Sequence, residues 1–150
     1  MKTFVLILTL LFGVSSISIC QEKKIPRKQV PASVIKAFKS TYPNAKIKGT
    51  NKEIKDGVTY FEIESKDGKV SRDILYTHEG TVSEIEEIIS ADQLPQPVTD
   101  VLTKSYLNKK VVSVEKNIQG SETTYEVILQ NGKKKQEVIF SPVGNILNNK

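Results

Sequence analysis

A chain of 150 residues with 22 Lys and Arg against 17 Asp and Glu carries a formal net charge of +5, a mild basic bias with the acids interspersed among the bases. It holds one Cys, one His and no Trp, so no disulfide framework can hold it together and stability must come from a buried core. A chain of this size can bury one, as one domain or as two small ones side by side.

The first segment stands apart from the rest. Lys2 supplies a short positive region, Phe4 to Val14 an apolar run too short to span a bilayer comfortably, and Ser15 to Cys20 a small-residue region. This pattern predicts an export signal over residues 1–20, cleaved after Cys20, with Ser18 and Cys20 at the two small-residue positions and Gln21 as the mature N-terminus. Loss of Lys2 then takes the formal charge from +5 to +4. A lipidated Cys20 is the alternative, against which stands Ile19, bulky where lipoprotein processing wants a small residue.

The remainder is a duplication. An ungapped offset of 64 aligns Ile25–Glu84 with Ile89–Asn148 and gives 14 identities in 60 pairs, where chance would give about four. Pro31 matches Pro95, Tyr42 matches Tyr106, Glu62 matches Glu126, Gly68 matches Gly132 and Gly80 matches Gly144. The period is too long for a solenoid unit and points to two copies of a small domain, residues 21–88 and 89–150.

Each copy begins with a proline read as a first helical residue, Pro31 or Pro95, because its missing N–H costs nothing there. Val34, Ala37, Phe38 and Tyr42, and then Val98, Val101, Leu102 and Tyr106, recur at helical spacing and predict one short amphipathic helix per copy. A strand follows, Lys46 to Ile54 or Lys110 to Ile118, closed by Asp56-Gly57 or Gln119-Gly120. Next come the hairpins Val58–Tyr76 and Glu122–Phe140, with Asp67-Gly68 and Asn131-Gly132 read as type I′ turns, and a last strand entered through Gly80 or Gly144.

Alternation assigns the faces. Phe61, Ile63, Ile74 and Tyr76, matched by Tyr125, Val127, Val138 and Phe140, should meet the helix. The opposite face carries Tyr60, Glu62, Glu64, Asp73 and Leu75, and in the second copy Thr124, Glu126, Ile128, Glu137 and Ile139. Half apolar and half acidic, it reads as a sheet face open to solvent.

Little in the chain suggests catalysis. His78, the one histidine, falls at a predicted loop tip, and neither a second His nor a Cys in the mature chain exists to complete a triad or a zinc site. Carboxylate pairs such as Glu62 and Glu64 have the composition of a hydrolase pair, but alternating acids on an open strand face serve solubility far more often. The lysine clusters, Lys23-Lys24, Lys109-Lys110 and Lys133 to Lys135, lack interleaved aromatics for base stacking and read as guards of sheet edges and turns.

In this order and duplication the motifs resemble the PepSY-like family, β-lactamase-inhibitor-like proteins exported by Bacteroidetes-type bacteria. The resemblance rests on Val30-Pro31 or Leu94-Pro95 before the helix, Tyr42 or Tyr106 at its end, Tyr125-Glu126-Val127 before a glycine turn, and a second glycine twelve residues on. It implies an α+β fold of two tandem repeats, each a helix packed on a four-stranded antiparallel sheet, with no catalytic residues; no metal or cofactor is expected. Two departures set limits: the named inhibitor is disulfide-bonded, and Thr77 or Ser141 stands where such sequences often carry an acid.

The expectation is therefore a periplasmic or secreted, non-enzymatic module that binds another protein of the cell envelope through its open sheet face. Tyr60, Glu62, Glu64, Leu75, Thr124, Glu126, Ile128 and Ile139 are the candidate binding residues. Nucleic acid and a membrane span are not expected, and the oligomeric state is open. The rival reading is an envelope-associated structural protein that binds an anionic surface through its lysines.

Overall fold

The computed structural model describes residues 21–149; the expected export signal lies outside them. In chain order the elements are β1 (Gln21–Lys24), a 3-10 turn (Arg27–Gln29), α1 (Ala32–Thr41), β2 (Lys46–Lys55), β3 (Val58–Asp67), β4 (Val70–Tyr76) and β5 (Val82–Ile89). A second 3-10 turn (Ala91–Gln93), α2 (Gln96–Ser105), β6 (Lys110–Gln119), β7 (Glu122–Asn131), β8 (Lys134–Phe140) and β9 (Ile146–Asn149) follow. The nine strands form a single antiparallel sheet in sequence order, so the fold is α+β and the two repeats share one sheet.

The seam lies between β5 and β6, which pair from Glu84↔Gln119 to Ile89↔Val114. The same register occurs 64 residues earlier, where β1 meets β2 with Gln21 opposite Ile54, as Ile85 is opposite Ile118. β5 therefore serves twice, as the last strand of the first repeat and as the counterpart of β1 for the second. The sequence reading missed β1, because Gln21-Glu22-Lys23-Lys24 has no strand-like pattern and is a strand only by virtue of the edge it covers.

Both helices lie on one face of the sheet. Val34 and Phe38 of α1 pack with Phe61, Ile63, Ile74 and Tyr76, and Val98 and Leu102 of α2 with Val114, Tyr125, Val127, Leu129, Val138 and Phe140. All eight strand residues expected to meet the helices are buried. Pro31 and Pro95 correct the helix starts by one residue. Each occupies the N-cap in extended backbone, since the residue before the first helical turn need not donate a hydrogen bond either.

The turns divide differently from expectation. Asp67 pairs with Val70 and Asn131 with Lys134, so the central residues are Gly68-Lys69 and Gly132-Lys133. Only the glycine has positive φ, 59° in both, which is the signature of a II′ turn rather than I′. A I′ pattern does occur at Asp56-Gly57, with φ of 50° and 78°. Gly80 and Gly144 have a stronger requirement: a Cβ there would stand 2.8 Å from the carbonyl oxygen of Ser33 or Pro97, so the β4–β5 and β8–β9 loops lie directly on the helix starts.

One core position differs informatively between the copies. Tyr76 is 1% exposed and its hydroxyl has no hydrogen-bond partner among the described residues, and burial pushes the pKa of that hydroxyl well up. The equivalent residue of the second copy is Phe140, fully buried without a polar atom. Tyr76→Phe is accordingly expected to stabilise the protein by about 1 kcal/mol, seen as a rise in the urea midpoint, because it removes a desolvated donor that repays nothing. A loss of stability would reveal a partner for the hydroxyl.

Candidate functional site

The helix-free face of the sheet is built by the residues that alternate with the core. Register places Glu62 between Asn51 and Leu75, Glu64 beside Asp73, and Tyr60 opposite Glu53. Thr124 faces Asn117, Glu126 lies between Glu115 and Ile139, and Ile128 sits opposite Glu137. All eight sequence-predicted site residues thus share one continuous face. Leu75 corrects its assignment as an exposed anchor: it is 6% exposed, because carboxylate-bearing side chains from both neighbouring strands, Glu62 and Glu84, flank it. Tyr60, Ile128 and Ile139 are half-buried.

What sequence reasoning missed is the acidity of the middle. Glu22 and Glu53 on one side, Glu84 and Glu86 on β5, and Glu115 on β6 join Glu62, Glu64 and Asp73 on this face. The alternation Glu84-Ile85-Glu86 was there to be read. It could not be joined to Glu115 without knowing that β5 and β6 pair. Although the chain is basic overall, carboxylates dominate this surface, and a cleft of about 160 Å³ is lined by Glu22, Glu53, Lys55, Glu62, Asp73 and Glu84, with Leu75 and Glu86 completing it.

Local contacts fix the carboxylates. Asn51, 4% exposed, donates from Nδ2 to Glu62 Oε2 at 2.8 Å and to Glu64 Oε1 at 2.9 Å, so one amide clamps two acids. The Glu64 carboxylate lies over Gly49, where a Cβ would come within 2.3 Å of it, at the irregularity in the β2–β3 register. Lys55 reaches in from the rim, 3.1 Å from Glu84 and 3.3 Å from Glu53. Among the described residues no three acidic or histidine side chains converge closely enough to hold a metal ion. His78 sits at an exposed loop, its carbonyl accepting a hydrogen bond from Ser33 Oγ and its ring edge-on to Phe61.

Crowding shows in the acidities. Glu86 is pushed up to about 7, first by burial and then by Glu115 and Glu84. Glu62 and Asp73 are raised as well, again mainly by burial, with further repulsion from Asp73 and Glu22 on Glu62 and from Glu64 and Glu115 on Asp73. A carboxyl whose folded pKa exceeds its unfolded value binds its proton more tightly in the folded state, so stability falls as pH rises from the unfolded value near 4.5 through about 7. The protein should melt higher at pH 5.5 than at pH 8. Glu86→Gln should recover about 1–2 kcal/mol at pH 8, after discounting for solvent screening, and flatten the profile. A variant with unchanged pH dependence would show that Glu86 ionises freely.

The comparisons with known proteins agree with this architecture. The family model described as "Putative beta-lactamase-inhibitor-like, PepSY-like" matches twice, over residues 16–84 and 59–148. The matches overlap in the region that holds β3, β4 and the start of β5, in keeping with a strand shared between repeats. No curated protein matches the chain. Among solved structures, a DUF2874 family protein from Bacteroides uniformis superposes with a TM-score of 0.66 at 18% identity, covering 80% of this chain and 88% of that one. A "putative periplasmic" protein from Bacteroides eggerthii gives 0.65 at 16% identity, over 81% and 88%. A BLIP-like protein from Bacteroides fragilis gives 0.63 at 26% identity, over 84% of this chain and 86% of that one. The shared sheet, the two helices on one face and the doubled match together make this chain a member of the PepSY-like family.

Proposed function

We propose that this chain is an exported, non-enzymatic binding module whose acidic sheet face captures a protein of the cell envelope through a segment rich in lysine or arginine. The carrying observation is the segregation of charge: a net basic chain gathers most of its carboxylates on the one sheet face that no helix covers. Charges so placed steer an oppositely charged partner and set its register more than they supply raw affinity. Tyr60, Ile128 and Ile139, half-buried among the acids, are the apolar contacts that such a partner would cover. The family description and the BLIP-like neighbour support a binding role over a catalytic one. The neighbour described as periplasmic supports export; the proposed signal is residues 1–20 and the proposed repeats are 21–88 and 89–150.

Capture from a periplasmic extract tests this reading. The wild-type chain should retain a discrete protein at about 0.15 M salt, where charges more than roughly 8 Å apart are already screened and only close contacts persist. A variant carrying Glu64→Gln, Glu84→Gln and Glu126→Gln should lose it. Retention that disappears at the same salt and ignores the face variant would favour adsorption through lysines instead.

A further inference from the structure

On the helix side of the sheet, remote from the carboxylates, an apolar groove of about 270 Å³ runs between the end of α2 and the start of β6, with Leu94, Leu102, Tyr106, Leu107 and Val111 along it. Leu107 is 78% exposed there, which is costly for a leucine in water. A second hollow of about 260 Å³ adjoins the groove and shares Lys109 with it; Leu129, Asn131, Lys134, Lys135 and Gln136 line the rest. Lys109 is held at the junction, its ammonium 5.2 Å from the Tyr106 ring centroid and donating to Gln136 Oε1. An apolar trough thus opens onto a cationic end.

The first repeat lacks this arrangement. Its groove at the end of α1, lined by Phe38, Pro43, Ala45 and Ile47, also carries Arg27, Lys39 and Lys46, and Ala45 stands where the second repeat has Lys109.

We propose that the second repeat binds one free single-chain anionic amphiphile, such as a long-chain carboxylate, its chain in the groove and its head at the lysines. The trough has about 270 Å³ of space and is walled mainly by apolar side chains, which suits an alkyl chain. Head-group charge follows from Lys109 and Lys134: a cationic head would be repelled, and a neutral one would forgo the pairing. The proposal is independent of partner capture on the acidic face, because the two surfaces lie on opposite sides of the sheet.

Calorimetric titration of the mature chain with monomeric dodecanoate tests it. One saturable site is expected, and decanoate should bind roughly fifteenfold more weakly, since each methylene is worth roughly fourfold. Leu107→Asp, at a position exposed enough to leave the fold intact, should remove this site, and methyl resonances of Leu94, Leu102 and Val111 should move on titration of the wild type. Dodecyltrimethylammonium should show no saturable binding. Absence of saturation by dodecanoate, indifference to chain length or head charge, or undiminished binding by Leu107→Asp would each overturn the proposal. So would binding to vesicles of anionic phospholipid without binding of monomeric dodecanoate, which is surface adsorption.

Discussion

Cutting the chain between Ser90 and Gln93 is expected to yield two fragments that do not fold alone. Each would have only about 60 residues, a size at which folding buries barely enough surface for stability. The cut also divides a shared element: β5 stays with the first half, which leaves β6 as a bare edge in the second and removes Ile89, which packs against the second core. The first half fares little better, because β5 would then expose the hydrogen-bonding edge that β6 covers from Glu84 to Ile89. Circular dichroism and calorimetry of the separate fragments check this. Two cooperatively melting halves whose enthalpies add up to that of the whole would mean that the β5–β6 seam contributes nothing.

Phe140→Ala is the point substitution with the largest expected effect, a loss of about 3–5 kcal/mol in urea unfolding. Phe140 is 0% exposed and packs in the second core with Val98, Tyr125 and Val138. It pairs with Tyr125 on one side and Ile146 on the other, so the space left by its ring is walled by three strands that cannot easily collapse. Phe61→Ala, at 8% exposure, should fall toward the lower end of the range. A loss below about 1 kcal/mol at Phe140 would require that β8 and β9 repack freely.

The repeat, the helices, the hairpins and the buried face were legible because each is a local signal: apolar spacing, turn glycines, strict alternation. The 64-residue offset carried those signals from one copy to the other, and it holds for both helices and for β2 through β4 against β6 through β8. What was not legible depends on pairing between distant segments. β1 is a strand because β2 offers it an edge, and Leu75 is buried because Glu62 and Glu84 arrive on both sides of it. The acidic centre of the open face likewise needed the β5–β6 register, since Glu86 and Glu115 are 29 positions apart in the chain and meet only across that seam. Turn type escaped for a subtler reason: Asp-Gly and Asn-Gly suit I′ turns, but the strand register moved the glycine into the first central position.

Methyl-resolved magnetic resonance of the full mature chain, titrated with the protein captured from the periplasm, tests the role of the acidic face most directly. Ile88, Ile128 and Ile139 report on that face, while Ile63 and Ile74 are fully buried on the other side. Shifts and broadening at the first three, with the core isoleucines unmoved, are the predicted result. Shifts confined to Leu107, Val111 and other methyls on the helix side, with Ile88, Ile128 and Ile139 unchanged at saturation, would contradict it.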